Sequence, residues 1–350
     1  MSSSFPVRAS WVLDAGPESD VVISTRARLA RNLAEYPFPT RASAEDLASI
    51  ATKVEKASDL LRERFPEMTV LNLAKASPDI RDALLGAHIV SPDHAIDTEN
   101  RIIVLEPTGK LSIMVNEEDH LRVQSLLPGL NVSATWGLVD WADDVLSGRL
   151  NFGYSSRYGY LTSSVSNVGT GLRISVMMHL AGLSMCGRLR STLRAAYDLG
   201  ASIRGMFGEG SKLVGDTYQV SNELTLGITE SEIADRVLST ASYLVRQERD
   251  ARMELLSERR QEILSRASGA LHKLQNARAL TVEQTLTLVS PVRLALSTGL
   301  GVDGSVTIVN EILAEARAAS GQSFEQSNSR AELIRRKTVG ITLVSGKNIA

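Results

Sequence analysis

Sulfur is scarce in this chain: its 350 residues hold a single cysteine, Cys186. A lone thiol closes no internal disulfide and builds no cysteine-based metal site, which favours a reducing compartment. Long apolar runs are missing as well. The longest, Ile174 to Met185, carries His179 and falls short of the roughly 20 residues that cross a bilayer. Met1 to Ser10 lack the apolar core of a secretory signal. Charge of one sign is also lacking, since a net charge of −2 offers no field to nucleic acid or an anionic membrane. No Walker A loop occurs; the stretch from Gly208 to Lys212 has the wrong spacing. A bound nucleotide must therefore rest its phosphates on arginines. What remains, 43% apolar and 22% charged, is ordinary for a globular protein. The expectation is a soluble, cytoplasmic chain with one large domain and a smaller one.

Three capping patterns punctuate the chain. Ser43-Ala44-Glu45-Asp46 opens a helix with apolar residues at Leu47, Ile50, Val54 and Leu60. Thr229-Glu230-Ser231-Glu232 opens a long one, and Thr281-Val282-Glu283-Gln284 another. Arg101 to Glu106 and Leu111 to Val115 read as strands joined across Pro107-Thr108-Gly109. Tyr218 to Leu226 is a further strand, and Leu189 to Leu199 a helix. Ile174 to Cys186 is a buried strand or helix, which periodicity does not separate. Arg246 to Arg266 reads as a charged helical run, and little strand signal follows Leu226. These patterns predict a mixed α+β domain over residues 1–250 and an all-helical domain over 251–350.

The densest chemistry lies in Asn116-Glu117-Glu118-Asp119-His120-Leu121-Arg122, directly after an apolar strand. Alone, this cluster fits either a self-neutralising solvated loop or a catalytic edge. Ser24-Thr25-Arg26-Ala27-Arg28 puts two guanidiniums on one side of an extended segment. Such a forked pair suits phosphate oxygens, and equally a solvated basic turn. Asn167 to Arg173 and Arg204 to Ser211 each bring an arginine beside glycines. Two acids distant in sequence, Glu118 and Glu209, complete a possible set. A protonated guanidinium is a poor nucleophile, so phosphorylating one needs carboxylates to orient it and accept its proton. Arginines and Mg²⁺ would meanwhile stabilise the transferring phosphoryl group.

In order along residues 14 to about 240, these segments and Tyr218-Gln219-Val220-Ser221-Asn222 resemble the phosphagen (guanidino) kinase family. The resemblance is closer to its bacterial protein-arginine kinases of the McsB type. It implies a large antiparallel sheet flanked by helices, followed by a smaller all-helical domain that dimerises the chain or binds substrates and partners. It implies ATP and Mg²⁺ as cofactors, with no metal site of the protein's own. Nucleotide contacts would come from Ser24, Thr25, Arg26, Ala27 and Arg28, then His88 and Arg122. They would continue through Arg173, Ile174, Ser175, Val176 and Met177, and end with Arg204, Gly205, Met206, Phe207, Gly208 and Glu209. Glu118 would be the principal base and Glu209 the second acid, with His120 a structural hydrogen-bonding residue. Implied partners are arginine-bearing proteins, a Clp chaperone-protease for which they are marked, and a zinc-binding activator.

Small-molecule family members carry a helical domain before the arginine motif, whereas here that motif begins at Ser24 and about 100 residues follow the catalytic region. The expectation is a protein-borne acceptor. The alternatives are a small-guanidine kinase and a catalytically silent adaptor. Two departures stand out. Family members carry a reactive cysteine where this chain reads Ser164-Val165-Ser166-Asn167, and a serine is neutral at pH 7. They also carry an Arg-Asp pair, forming a phosphoarginine pocket, where this chain reads Gln326-Ser327 before Arg330-Ala331.

Overall fold

The structure is a computed structural model that describes residues 9–205, 214–318 and 324–344. The chain opens with α1 (Ser10–Leu13), the long strand β1 (Val22–Arg31) and α2 (Ala44–Ser58). Next come β2 (Thr69–Asn72), α3 (Pro78–Gly86), α4 (Pro92–Ile96), β3 (Ile102–Leu105), β4 (Leu111–Val115) and β5 (Leu121–Pro128). After α5 (Val132–Ser147), the two-residue strands β6 (Tyr154–Ser155) and β7 (Gly159–Tyr160) lead to β8 (Leu172–His179), α6 (Ala181–Met185) and α7 (Leu189–Asp198). β9 (Ala201–Gly205) and β10 (Thr217–Asn222) complete the main sheet. The helices α8 (Glu230–Glu258), α9 (Arg260–Asn276), α10 (Val282–Thr298), α11 (Val306–Ala318) and α12 (Phe324–Thr338) follow. The pair β11 (Val302–Asp303) and β12 (Thr342–Leu343) lies among them.

All three capping patterns work in both directions. Ser43, Thr229 and Thr281 each accept the amide of the third helical residue, whose own side chain accepts theirs. The ambiguous stretch from Ile174 resolves into a strand and then a short helix, β8 and α6. The charged run from Arg246 is two helices, because Arg259 leaves the helical region (φ −130°, ψ 29°) between α8 and α9.

Among the described residues, eight strands form one sheet in the order β2-β3-β4-β5-β1-β8-β10-β9. Each neighbouring pair is antiparallel. One face is largely apolar: Ala27, Leu29, Val123, Ile174, Val176 and Val220 pack with Val54, Val139 and Leu244 from α2, α5 and α8. On the other face, Ile103, Met114, Leu126 and Met177 join a second cluster with Trp11, Leu84, Ile263, Val289 and Leu313. This second core therefore draws on both ends of the chain. The boundary expected near residue 250 falls inside α8, whose Leu244 serves the first cluster and Leu255 the second.

Candidate active site

Residues paired across neighbouring strands share a face of the sheet. From the β1–β5 register, Arg26 lies opposite Leu126, Arg28 opposite Gln124 and Ala30 opposite Arg122. From the β1–β8 register, Ser24 lies opposite Met177, Arg26 opposite Ser175 and Arg28 opposite Arg173. Ser175 pairs with Ser221, and Gln219 with both Met177 and Arg204. The ladder thus collects Arg122, Arg26, Arg28, Arg173 and Arg204 on one face of five adjacent strands, β5-β1-β8-β10-β9. Residues far apart in the chain become lateral neighbours because each strand contributes at alternate positions.

The same pleat splits the expected contact set. Ser24, Arg26, Arg28, Ser175 and Met177 lie on the arginine face, whereas Thr25, Ala27, Ile174 and Val176 point into the opposite core. Thr25 donates its hydroxyl to the carbonyl of Gly129 (2.7 Å) and accepts the amide of Asn131 (3.0 Å). The side chains of these four residues are thus taken up in packing. Gly205 ends β9 one residue past Arg204. Met206, Phe207, Gly208 and Glu209 lie outside the described residues.

Half-buried Arg28 is the electrostatic centre. Its pKa is pushed well down, first by burial and then by Arg26, Arg122 and Arg173, with Glu117 opposing. Like charges packed this closely on a partly desolvated face suit a ligand with several negative charges. A nucleotide triphosphate tail fits that requirement. Ser221 accepts a hydrogen bond from Arg173 at 3.2 Å, and Gln124 donates to the carbonyl of His88 at 2.9 Å. His88 itself is buried, stacks obliquely on Trp11 (4.8 Å between centroids) and adopts a left-handed backbone (φ 60°).

The hairpin between β4 and β5 carries the acids. Its buried members are structural: Asp119 accepts from Asn32 Nδ2 and from the Ser163 amide, both at 2.7 Å. His120 Nδ1 accepts the amide of Leu33 at 3.0 Å, so its Nε2–H donates to the Pro37 carbonyl at 2.9 Å. The buried contacts leave Glu118 at the rim, with its side chain 43% exposed and Oε2 2.8 Å from Arg122 Nη2. Glu117 is only 6% exposed and reaches the same nitrogen at 2.7 Å. Burial alone would raise the Glu117 pKa, yet Arg122, the Glu118 amide and Ser91 together hold it below the usual carboxylate range. Glu117 was legible only as part of the acidic run. Its partner Ser91, which donates to Oε1 at 2.7 Å while capping α4, gave no sequence signal.

Ser164 belongs to a loop stitched to this hairpin through the Ser163–Asp119 bond, and its hydroxyl lies 2.8 Å from that of Ser166. Thr225 accepts the loop from its other side, donating to the carbonyls of Ser166 and Val168 at 3.0 and 2.8 Å. Gly169 allows that approach: a Cβ there would lie 2.1 Å from the Thr225 carbonyl oxygen. Among the described residues no group of three or more His, Cys, Asp or Glu could hold a metal ion. Also among them, no helix is long and apolar enough to cross a membrane.

Residues 49–251 match the family "ATP:guanido phosphotransferase, C-terminal catalytic domain". A protein-arginine kinase from Pelotomaculum thermopropionicum is 38% identical over 337 residues, covering 93% of this chain and 95% of that protein. One from Desulforamulus reducens is 38% identical over 339 residues, covering 94% and 95%. The chain belongs to the protein-arginine kinase family of ATP:guanido phosphotransferases. Its fold is that of the guanidino kinases. A lombricine kinase structure superposes with a TM-score of 0.59 at 24% identity, covering 66% of this chain and 67% of that one. The duplicated taurocyamine kinase of Schistosoma mansoni gives 0.60 at 22% identity, covering 79% and 42%. For this family member, the matched stretch contains Glu118, Arg122, Arg173 and Arg204, while Arg26 and Arg28 precede it on the strand between β5 and β8.

Proposed function

We propose that this chain transfers the γ-phosphoryl group of ATP to arginine side chains of proteins. The observation that carries the proposal is the row of guanidiniums centred on Arg28, with Glu118 exposed at its rim. The protein-arginine kinases that match nearly the whole chain support the acceptor class.

In this reading Arg26, Arg28, Arg122, Arg173 and Arg204 hold the phosphates, with Ser24, Ser175, Met177 and His88 as further nucleotide contacts. Mg²⁺ arrives with the nucleotide, held chiefly by phosphate oxygens, and neutralises charge on the transferring group when bound. Glu118 orients the acceptor guanidinium and accepts its proton as the N–P bond forms and the bond from the γ-phosphorus to the bridging oxygen breaks, releasing ADP. Glu117, clamped by Ser91 and Arg122, stays ionised and fixes the arginine beside the base. Glu209 is the proposed second acid.

The division into a catalytic part over 1–250 and a helical part over 251–350 for dimerisation or partner binding belongs to the same proposal. So do the cytoplasmic location and the marking of proteins for a Clp chaperone-protease with a zinc-binding activator, whose support is the family alone.

The deciding experiment incubates the chain with MgATP and an arginine-bearing protein and measures acid-labile phosphate on arginine. Glu118→Gln should lower turnover by about 10²-fold or more with little change in nucleotide affinity. Phosphate on free arginine but never on protein favours a small-guanidine kinase; nucleotide binding without transfer favours a silent adaptor.

A further inference from the structure

The helix α10 lies beyond the matched catalytic region, yet it grips the main sheet where β10 begins. Ser290 of α10 donates its hydroxyl to Asp216 Oδ2 at 2.6 Å and lies 3.0 Å from His179 Nε2 at the end of β8. All the protons have places if His179 carries its proton on Nε2 and donates to Ser290 Oγ. Its Nδ1 is buried without a hydrogen-bond partner, and burial, with Arg293 and Arg252, disfavours the charged ring. The same junction is fastened by backbone: the Leu180 amide donates to the Asp216 carbonyl at 2.8 Å, and Thr217 pairs with His179.

The chain bends sharply here to meet the helix. Gly215 (φ 69°) and Asp216 (φ 51°) are both left-handed. A Cβ on Gly215 would lie 2.5 Å from the Leu286 carbonyl oxygen, so only glycine permits this seat on α10. The helix is itself interrupted at this level. Pro291 follows Ser290 inside α10 and has no N–H for the ladder, which leaves side-chain contacts a larger share in fixing its course.

We infer that Ser290 is a positioning residue for phosphoryl transfer. Through Asp216 it fixes the residue that enters β10, the strand that sets Gln219 opposite Arg204, a proposed phosphate ligand. Fixing Asp216 fixes the register of β10 against β8 and β9, and so the setting of Arg204 opposite Gln219. Catalysis of this kind is steep in geometry: displacing a reacting group by about 1 Å costs on the order of 10²-fold in rate. The C-terminal helices are thereby part of the catalytic frame.

This inference rests on the arginine-kinase reading and is tested on the full chain with MgATP and an arginine-bearing protein. Ser290→Ala should lower kcat about tenfold while the ATP dissociation constant stays within about twofold. Ser290→Thr, which keeps the hydroxyl, should recover most of the loss. Ser290→Cys, close in volume and a weaker donor, should fall between them and makes the comparison possible if the alanine variant does not fold. Unchanged turnover in the alanine and cysteine variants overturns the inference, as does a loss that threonine fails to recover. Absence of phosphoarginine with the wild-type chain defeats the underlying reading instead.

Discussion

Glu118 and its neighbours show how a run of charge divides its labour. Asp119 and His120 are consumed by the scaffold, Glu117 is held between Ser91 and Arg122, and Glu118 alone keeps a large exposed surface. The sequence distinguished the cluster but not this division, because burial depends on what folds over the hairpin. Ser164 is the residue where the family chemistry departs. A thiolate there would place negative charge near a cationic acceptor, so Ser164→Cys should raise kcat at neutral pH, and a steady-state rate no greater than wild type would count against that role. His94 supplies a pH signature. Burial first, then Arg101, lowers its pKa from 6.5 to about 4, so the folded chain holds it neutral. The unfolded chain takes up the proton first, and stability therefore falls as pH drops from about 6.5 to about 4. The loss amounts to ~3 kcal/mol at most. Denaturant titrations at several pH values should show His94→Asn losing less than wild type across that window; parallel profiles would refute it.

The elements were legible where local chemistry and tertiary packing agree. The three capping boxes formed because Ser43, Thr229 and Thr281 satisfy helix amides without outside help. Ile174 to Cys186 stayed ambiguous because strand and helix are both apolar there, and hydrogen bonding to β1 and β10 settles the matter. Arg31, at the end of β1, fastens that strand to α5 and to the start of α8. It meets Asp143 at 2.8 Å and Glu230 at 3.8 Å, with the Tyr160 ring 3.4 Å away. Burial raises the Asp143 pKa in spite of Arg31 beside it, a sign of how far this junction is desolvated. Asp143→Ala removes the nearest carboxylate from a guanidinium that is 1% exposed and should cost about 3 kcal/mol in denaturant unfolding. Replacing the pair together by Arg31→Met and Asp143→Leu should recover most of it; an additive double variant would show that the pair does not act as a unit.

Across the whole molecule, the helices after residue 250 complete a core begun by α1 and the second sheet face. Trp11, Ile103 and Met114 belong to the same buried cluster as Ile263, Val292, Ile312 and Ile334. A chain ended after Glu258 would expose that surface, so it should bind a hydrophobic dye strongly and self-associate. A cooperative, monomeric unfolding transition from this truncated chain would defeat the prediction. The dependence on distant helices also bears on the proposed site, since α10 meets the sheet where β10 begins.

Residue order alone specified the chemistry on offer: arginines in alternating and glycine-flanked segments, an acidic cluster after a strand, and helix starts are matters of local spacing and composition. The antiparallel framework was legible through the family resemblance. Which arginines become neighbours, which acid remains at the surface, and which half of the Ser24–Arg28 segment packs inward came from the register of five strands contributed by distant parts of the chain. Pleating alternates side chains at every position, and only strand pairing determines what each one faces.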